Sequence, residues 1–230
     1  RRDGSSRFHK NHRWGTFPSF SLGWRISEEN FLKSVKWINM MKLRFSWGAL
    51  GNNAVDNYEY QSVYNKDNYI LGNAVMQGLA QTQLANAMVS WETTYVTNIG
   101  LDFNLFGSKL DGTIDVFNKD TRDILIDLPA PLLVGNASIP TQNAARVRNK
   151  GIEMNLKWNH KIGKVDYFVG GNFTFIDNEV TRFKGEERSI TGTNMIQEGY
   201  PINIQYVLAV DRILQTDEDM LFVEKMIKDA

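Results

Sequence analysis

The chain has 230 residues, with 26 basic and 26 acidic side chains, and it contains no cysteine. This charge balance gives no electrostatic reason to expect a nucleic-acid partner, and the lack of cysteine excludes disulfides and thiolate metal sites. No segment is apolar over the roughly 18 residues that a transmembrane helix needs, and the first residues contain no apolar signal peptide. We therefore expect an internal part of a longer protein.

Six β-strands are predicted by the alternation of apolar residues with polar residues or glycine. In chain order they are expected at 16–26, 42–49, 95–105, 110–118, 150–159 and 164–176. In the first strand Phe20, Leu22 and Trp24 share one face, whereas Ser21 and Gly23 share the other. Each strand is therefore expected to have one apolar and one polar face.

The third and fourth predicted strands allow the register to be tested against side-chain character. A turn at 106–109 pairs Leu101 with Ile114 and Gly100 with Asp115. Apolar residues then face apolar residues and polar residues face polar ones, as cross-strand pairing requires. These two strands are therefore expected to form a hairpin in this register.

The fifth and sixth predicted strands pass the same test. A turn at 160–163 pairs Trp158 with Val165 and keeps apolar residues together. Phe117 and Phe168 are exceptions, because both fall on the polar face. We expect these two rings to pack against other groups on the inside of the fold.

Long and short connections alternate along the chain. The long ones are expected at 50–90, 121–147 and 177–200, and they all fall at the same end of the strands. Strands with one apolar face, aromatic residues near their ends and loops segregated by length are typical of transmembrane β-barrels. The predicted fold class is therefore all-β, with residues 1–230 forming part of an antiparallel transmembrane barrel. A soluble, secreted β-sandwich that binds carbohydrate and a passive porin are the alternatives.

Short motifs occur along the chain in the order found in a known family. They include Asp3-Gly4-Ser5-Ser6, Arg13-Trp14-Gly15, Phe17-Pro18-Ser19, Trp91-Glu92-Thr93, Pro129-Ala130-Pro131, Asn149-Lys150-Gly151-Ile152-Glu153 and Glu198-Gly199-Tyr200-Pro201. In these motifs the chain resembles the SusC/RagA family of TonB-linked outer-membrane transporters of Bacteroidetes. Residues 204–230 depart from the family pattern.

The resemblance implies a plugged barrel of about 22 strands in the outer membrane of a Gram-negative bacterium. It implies import of oligosaccharides or peptides, energised through the TonB complex, with a SusD-like surface lipoprotein as partner. The plug, TonB box and signal peptide would lie upstream of this chain. The loops 50–90, 121–147 and 177–200 would be extracellular and would contact the lipoprotein.

Two sets of aromatic residues are candidates for a functional role. Tyr58, Tyr60, Tyr64 and Tyr69 lie in the 50–90 segment, where their rings could stack on a sugar substrate or pack the loop together. Trp24, Trp47, Trp91 and Trp158 lie near strand ends, where tryptophan anchors a protein in the membrane interface as an aromatic girdle.

No catalytic residue, metal site or cofactor is predicted. His9 and His12 lie close in sequence but lack further ligands, and residues 217–219 are not spaced as a calcium loop. The acids of the predicted strands, Asp102, Asp111, Asp115 and Glu153, could be considered as glycosidase acids. Because all of them fall on the polar face, we expect ordinary lumen-facing carboxylates and a protein that is not an enzyme.

Overall fold

The structure, a computed structural model, describes residues 1–128, 133, 135, 137–185, 188–208, 210, 213, 215–216 and 218–223. The strands are β1 Arg2–Gly4, β2 Trp14–Thr16, β3 Ser19–Trp24, β4 Ile38–Asn52, β5 Val63–Leu71, β6 Ala74–Gln83, β7 Glu92–Leu105, β8 Leu110–Ile126, β9 Gln142–Ile162, β10 Val165–Phe183, β11 Arg188–Thr191, β12 Asn194–Gln197 and β13 Ile204–Gln205. A 3₁₀ turn spans Ile26–Glu28, and residues 218–223 are helical. Pro129, Ala130, Pro131 and Asp217 lie outside the described residues. No helix in the described ranges is long and apolar enough to cross a membrane.

Six long strands form one antiparallel sheet in the order β10-β9-β8-β7-β4-β3. Between β4 and β7 the chain leaves this sheet to form a separate hairpin, β5-β6. Two small sheets, β1-β2 and β11-β12-β13, complete the described strands. Because β3 and β10 each lack a second neighbour in the main sheet, that sheet is open, as part of a wider barrel would be.

The predicted register of β7 and β8 is confirmed. Leu101 pairs with Ile114 and Gly100 pairs with Asp115. The turn at 106–109 contains three consecutive residues with positive φ, including Gly107. The apolar pattern and the turn therefore specify the same pairing.

The predicted register of β9 and β10 is wrong, because Val165 pairs with Ile162 and not with Trp158. The turn has only two residues, Gly163 and Lys164, and Gly163 has a φ of +61°. Positive φ at the first of two central residues is characteristic of the type II′ turn, which suits the twist of a hairpin. The slip involves an even number of residues, so each residue keeps its predicted face.

The three expected loops contain more strand than the sequence analysis predicted. The 50–90 segment holds the β5-β6 hairpin, and β4 itself extends to Asn52. Within 121–147, β8 extends to Ile126 and β9 begins at Gln142. Within 177–200, β10 extends to Phe183 and is followed by β11 and β12. Strands therefore continue beyond the apolar stretch from which they were predicted.

Connection length still distinguishes the two ends of the sheet. The connections 25–37, 106–109 and 163–164 lie at one end, which we call the short-turn end. The connections 53–91 and 127–141 lie at the other, the long-loop end. Segregation of long loops to one end is as predicted.

The buried apolar core lies at the long-loop end and not along the length of the sheet. One cluster joins Val147 and Phe183 of the main sheet to Ile196 and Ile202 of the segment that follows β10. A second cluster joins Phe8 with Val55 and Val89. Loops are therefore packed onto the end of the main sheet, and both buried clusters of the described residues lie there.

Candidate functional site: the two faces of the sheet

One face of the main sheet is apolar across all six strands. Two neighbouring rows of paired residues contain no polar side chain: Trp24, Leu43, Leu101, Ile114, Met154, Phe173, and Leu22, Phe45, Ile99, Val116, Ile152, Phe175. These side chains are not buried: Leu22 is 67% exposed and Ile99 54%. An exposed apolar surface of this breadth requires an apolar environment outside the chain.

The apolar band crosses the strands diagonally. The row that contains Phe20 and Trp47 is apolar on β3 and β4 but continues as Thr97, Asn118, Lys150 and Asp177 on β7 to β10. At the short-turn end, the band extends on β9 and β10 to Ile162 and Val165. Barrel strands tilt by about 35–45°, so a flat hydrocarbon layer meets them along such a diagonal.

Charged pairs lie beyond the band towards the long-loop end, and we call this region the charged rim. Lys150 pairs with Asp177 at 3.1 Å, and Arg148 pairs with Glu179 at 2.5 Å. Asp120 accepts from both Arg122 and Arg146, at 2.8 and 2.5 Å. The Arg146 guanidinium, helped by that of Arg122, outweighs the effect of burial and lowers the pKa of the Asp120 carboxyl.

The opposite face of the sheet is polar, and its middle is organised by Arg44. The Arg44 Nε donates to both carboxylate oxygens of Asp102, at 2.9 and 2.8 Å, and Nη2 donates to Asp115 Oδ2 at 3.1 Å. Gly100 lies between Arg44 and Asp115 in one row, and a Cβ there would lie 2.6 Å from the Arg44 Cζ. The missing side chain therefore lets one guanidinium join strands β4, β7 and β8.

Replacing Arg44 with glutamine is expected to lower the free energy of unfolding of the full-length protein by about 1–3 kcal/mol, because Asp102 and Asp115 lose a charged donor. Arg44→Lys should be more stable than Arg44→Gln but less stable than the wild type, since an ammonium cannot bind two carboxylates in the planar geometry of a guanidinium. Urea unfolding in detergent measures the effect. Lys42→Gln is the matched control, because Lys42 lies on the same face and forms no ion pair with a described residue. Equal losses for Arg44→Gln and Lys42→Gln would contradict the bridging role.

The two aromatic residues expected on the polar face do lie there. The Phe117 ring covers Gly151 of the neighbouring strand, where an added Cβ would meet its Cζ at 2.9 Å. Lys157 Nζ lies 4.7 Å from the centre of the Phe168 ring, within cation–π range. Both rings therefore contact residues of the wall itself.

The acids of the polar face are engaged with neighbouring side chains or lie beside other acids. Asp111 accepts from Asn104 and Asn159. Asp115 pairs with Glu153 across β8 and β9, and within the described structure Asp115 Oδ1 is buried without a hydrogen-bond partner. The described residues include no group of His, Cys, Asp and Glu arranged to hold a metal ion. This face can offer hydrogen bonds and charge to a passing solute.

The four candidate tyrosines lie partly before and partly within the β5-β6 hairpin. The rings of Tyr58 and Tyr60 lie 6.4 Å apart, and the His9 ring lies 6.0 Å from that of Tyr60. Between them Glu59 is buried and accepts from the backbone N–H and the hydroxyl of Thr141, which fixes this part of the loop. Tyr64 and Tyr69 lie instead on β5, five positions apart and on opposite faces of the hairpin. Tyr58 and Tyr60 are thus neighbouring rings, and the substrate-binding role of all four tyrosines stays a prediction.

The four candidate tryptophans are divided between the two ends of the apolar band. Trp24 ends β3 and Trp158 lies in the row of Leu110, both towards the short-turn end. Trp47 and Trp91 lie towards the long-loop end, where Trp91 packs against the rings of Phe8 and Phe17. Their role as a membrane girdle stays a prediction.

Two groups of residues were not predicted from the sequence. Asp102 and Asp115 were expected on the polar face, but their connection through Arg44 was not. Arg122 and Arg146 were expected in a loop, whereas they lie on strands and meet at Asp120. The available signal for the first group was that Arg44 pairs with Gly100, which lies two residues from Asp102 and pairs with Asp115. The second group needed the true strand ends.

Comparison with known proteins identifies several similar chains. Residues 1–206 match the family described as TonB dependent receptor-like, β-barrel. The TonB-dependent receptor P39 of Formosa agariphila is 36% identical over 99% of this chain and 22% of its own length. The TonB-dependent receptor SusC of Bacteroides thetaiotaomicron is 35% identical over 81% of this chain and 19% of its own length.

The solved structures show the same architecture. The RagAB peptide importer in its closed-closed state matches with a TM-score of 0.77 and 29% identity, over 87% of this chain and 22% of that one. Its open-open state matches with a TM-score of 0.74 and 28% identity, over 85% of this chain and 21% of that one. The chain thus spans about a fifth of the length of the proteins that it matches.

Proposed function

Because this chain belongs to the TonB dependent receptor-like β-barrel family, we propose that it forms part of the wall of an outer-membrane importer. The apolar face is directed to membrane lipid and the polar face to the barrel lumen. The observation that carries this proposal is the pair of wholly apolar, largely exposed rows that run across six strands opposite a polar face. A wall with this pattern separates lipid from a watery passage.

The imported solute is proposed to be an oligosaccharide or a peptide. Support for a peptide comes from the similar RagAB structures, which are described as those of a peptide importer. Support for an oligosaccharide comes from the resemblance to the SusC/RagA family and from the paired rings of Tyr58 and Tyr60, which suit stacking on a sugar. The energy would come from the TonB complex, through parts of the protein outside this chain. The protein would act as a conduit and not as an enzyme.

A SusD-like surface lipoprotein is the proposed partner, and the β5-β6 hairpin is the proposed contact. The hairpin pairs with no strand of the main sheet among the described residues, and it exposes apolar side chains on both faces. Ile70 and Val75 face one way, at 74% and 70% exposure, whereas Tyr69 and Met76 face the other. Exposed apolar residues concentrated in this way mark a protein interaction site.

Replacing the hairpin 63–83 with a short glycine linker in the full-length protein is expected to leave barrel assembly intact. Val63 and Gln83 are Cα partners, so a short linker can join the remaining chain ends. The contacts of Glu59 with Thr141 and the cluster around Val55 and Val89 are retained, so the loop base should keep its packing. Lipoprotein capture or substrate uptake should fall, and both are measured by co-purification and by transport in cells.

A matched variant tests whether lipoprotein capture depends on the apolar side chains of the hairpin or only on the presence of the hairpin. Ile70→Ser together with Val75→Ser removes one apolar face without shortening the chain, and it should reduce capture in the same direction as the deletion. Normal membrane insertion with unchanged capture and an unchanged import rate in both variants would show that the hairpin has no such role.

The alternative of a soluble β-sandwich has no support in the structure. In a sandwich, a second sheet packs on the apolar face at about 10 Å. None of the described strands packs on the rows of Leu101 and Ile99, and the family to which the chain belongs is described as a β-barrel.

A further inference from the structure

The charged rim contains a small basic pocket. A cavity of about 230 Å³ is lined by Arg122, Asp123, Asn143, Ala144, Ala145, Arg146, Arg182 and Lys184. This volume is several times that of one water molecule, so a group larger than water fits. The cationic side chains lie on the same face of the sheet as Ile152 and Met154, three to four rows beyond the apolar band. The pocket therefore opens beside the outer surface of the wall and not into the lumen.

Like charges face each other in this pocket. Arg146 and Arg182 are direct cross-strand partners, a position at which like charges destabilise a sheet. The pairing follows a bulge between Val180 and Arg182, and bulges re-aim side chains and persist where they have a use. Asp120 is already shared by Arg122 and Arg146. In the described part of the chain, no carboxylate pairs with Arg182 or Lys184. Among the described residues, the four basic side chains of this arrangement outnumber its two carboxylates, Asp120 and Asp123, so positive charge is in excess.

The height of the pocket limits the source of an anion that could balance this charge. Arg146 lies six residues beyond Ile152 on β9, which is about 15 Å along the membrane normal at about 3.3 Å per residue and a tilt of about 40°. The polar layer of an ordinary phospholipid leaflet is only about 5–8 Å thick, so its phosphate lies nearer to Lys150 and Arg148, which already have acidic partners. A phosphate at the height of Arg146 and Arg182 must be carried on a thicker headgroup.

We propose that Arg146, Arg182 and Lys184 bind a phosphate on the sugar headgroup of an outer-leaflet glycolipid. Guanidinium groups suit this ligand because they donate two parallel hydrogen bonds to phosphate oxygens. The bound phosphate would relieve the repulsion between Arg146 and Arg182 and hold this part of the rim against the leaflet. The proposal rests on the proposed placement of the barrel in the outer membrane.

The test uses the full-length protein in phosphatidylcholine bilayers that contain either lipopolysaccharide or the same molecule with its phosphates removed. The wild type should retain the phosphorylated form in preference to the other through purification. Arg182→Gln with Lys184→Gln should weaken retention about thirtyfold, since each basic residue near a charged lipid surface contributes about a fivefold factor. Lys164→Gln, at the short-turn end of the same hairpin, is the control and should retain lipid as the wild type does.

Three results would overturn the proposal: equal retention by the double variant and the wild type, equal retention of phosphatidylglycerol and lipopolysaccharide, or full displacement by millimolar inorganic phosphate. The last would indicate a site for a free anion. Heat-dependent migration on gels shows separately whether each protein forms an inserted barrel. A folded, inserted barrel that retains no glycolipid contradicts this inference alone, whereas failure to insert contradicts the proposed function as well.

Discussion

Arginine in place of Leu101 or Leu156 is expected to lower the stability of the full-length barrel by about 2–4 kcal/mol, the cost of a charge on the lipid face near the bilayer midplane. Leu101 lies inside the apolar band of β7, which extends from Ile99 to Leu105, and Leu156 lies inside the band of β9. Reversible urea unfolding in lipid vesicles measures the loss. The value depends on depth, so Val165→Arg, in the last row of the band at the short-turn end, should cost less.

The control for this substitution is an arginine on the other face of the same strand. Asn155 is the neighbour of Leu156, and it pairs with Thr113 and Asn172 on the polar face. Because that face is proposed to meet water in the lumen, Asn155→Arg should change stability by much less than Leu156→Arg. A larger loss for Asn155→Arg than for Leu156→Arg would reverse the assignment of the two faces, and equal losses would mean that neither face meets lipid.

Strand register could be predicted from the sequence only where the polarity of paired residues allows a single pairing. The β7-β8 register was predictable because the pairs Leu101–Ile114 and Gly100–Asp115 differ in polarity between rows. The β9-β10 register was not, since a slip by an even number of residues again places apolar residues opposite apolar ones. The register is set by the two-residue turn that begins at Gly163. The longer turn that was predicted satisfies the same side-chain pattern, so the pattern alone could not exclude it.

The β5-β6 hairpin was missed for a different reason. A hairpin exposed on both faces has no buried side, so its sequence lacks the alternation from which strands are recognised. The turn at Gly72 and Asn73, between apolar residues on either side, was the available sign. Similarly, β8, β9 and β10 continue beyond the apolar band, where charged residues replace the apolar ones on that face and the apolar residues, such as Val147 and Phe183, lie buried on the opposite face. Predicting the faces of the wall was therefore easier than predicting where the wall ends.

Glycines of the main sheet were expected only as small polar-face residues, yet aromatic rings cover several of them. Phe103 covers Gly112 on the apolar face, and Phe117 covers Gly151 on the polar face. Such coverage compensates for the missing side chain and fixes the register of the strands. The two sites differ in what a Cβ would meet: side chains only at Gly112, but the backbone oxygen of Phe175 at 2.2 Å for Gly151.

Gly151→Val is therefore expected to destabilise the full-length protein by at least about 3 kcal/mol, at the upper end of what overpacking costs, because backbone and not only a side chain must move. Unfolding by urea and the yield of heat-modifiable barrel measure the effect. Gly171→Val on the adjacent strand is the matched control: nothing lies within 4 Å of its Cβ position, so it should be nearly neutral. Adding Phe117→Ala should not rescue Gly151→Val, since the clash with the Phe175 oxygen remains, whereas Phe103→Ala should partly rescue Gly112→Ala. Rescue at Gly151 by the loss of the Phe117 ring would show that the ring, and not the close approach of β9 and β10, requires glycine there.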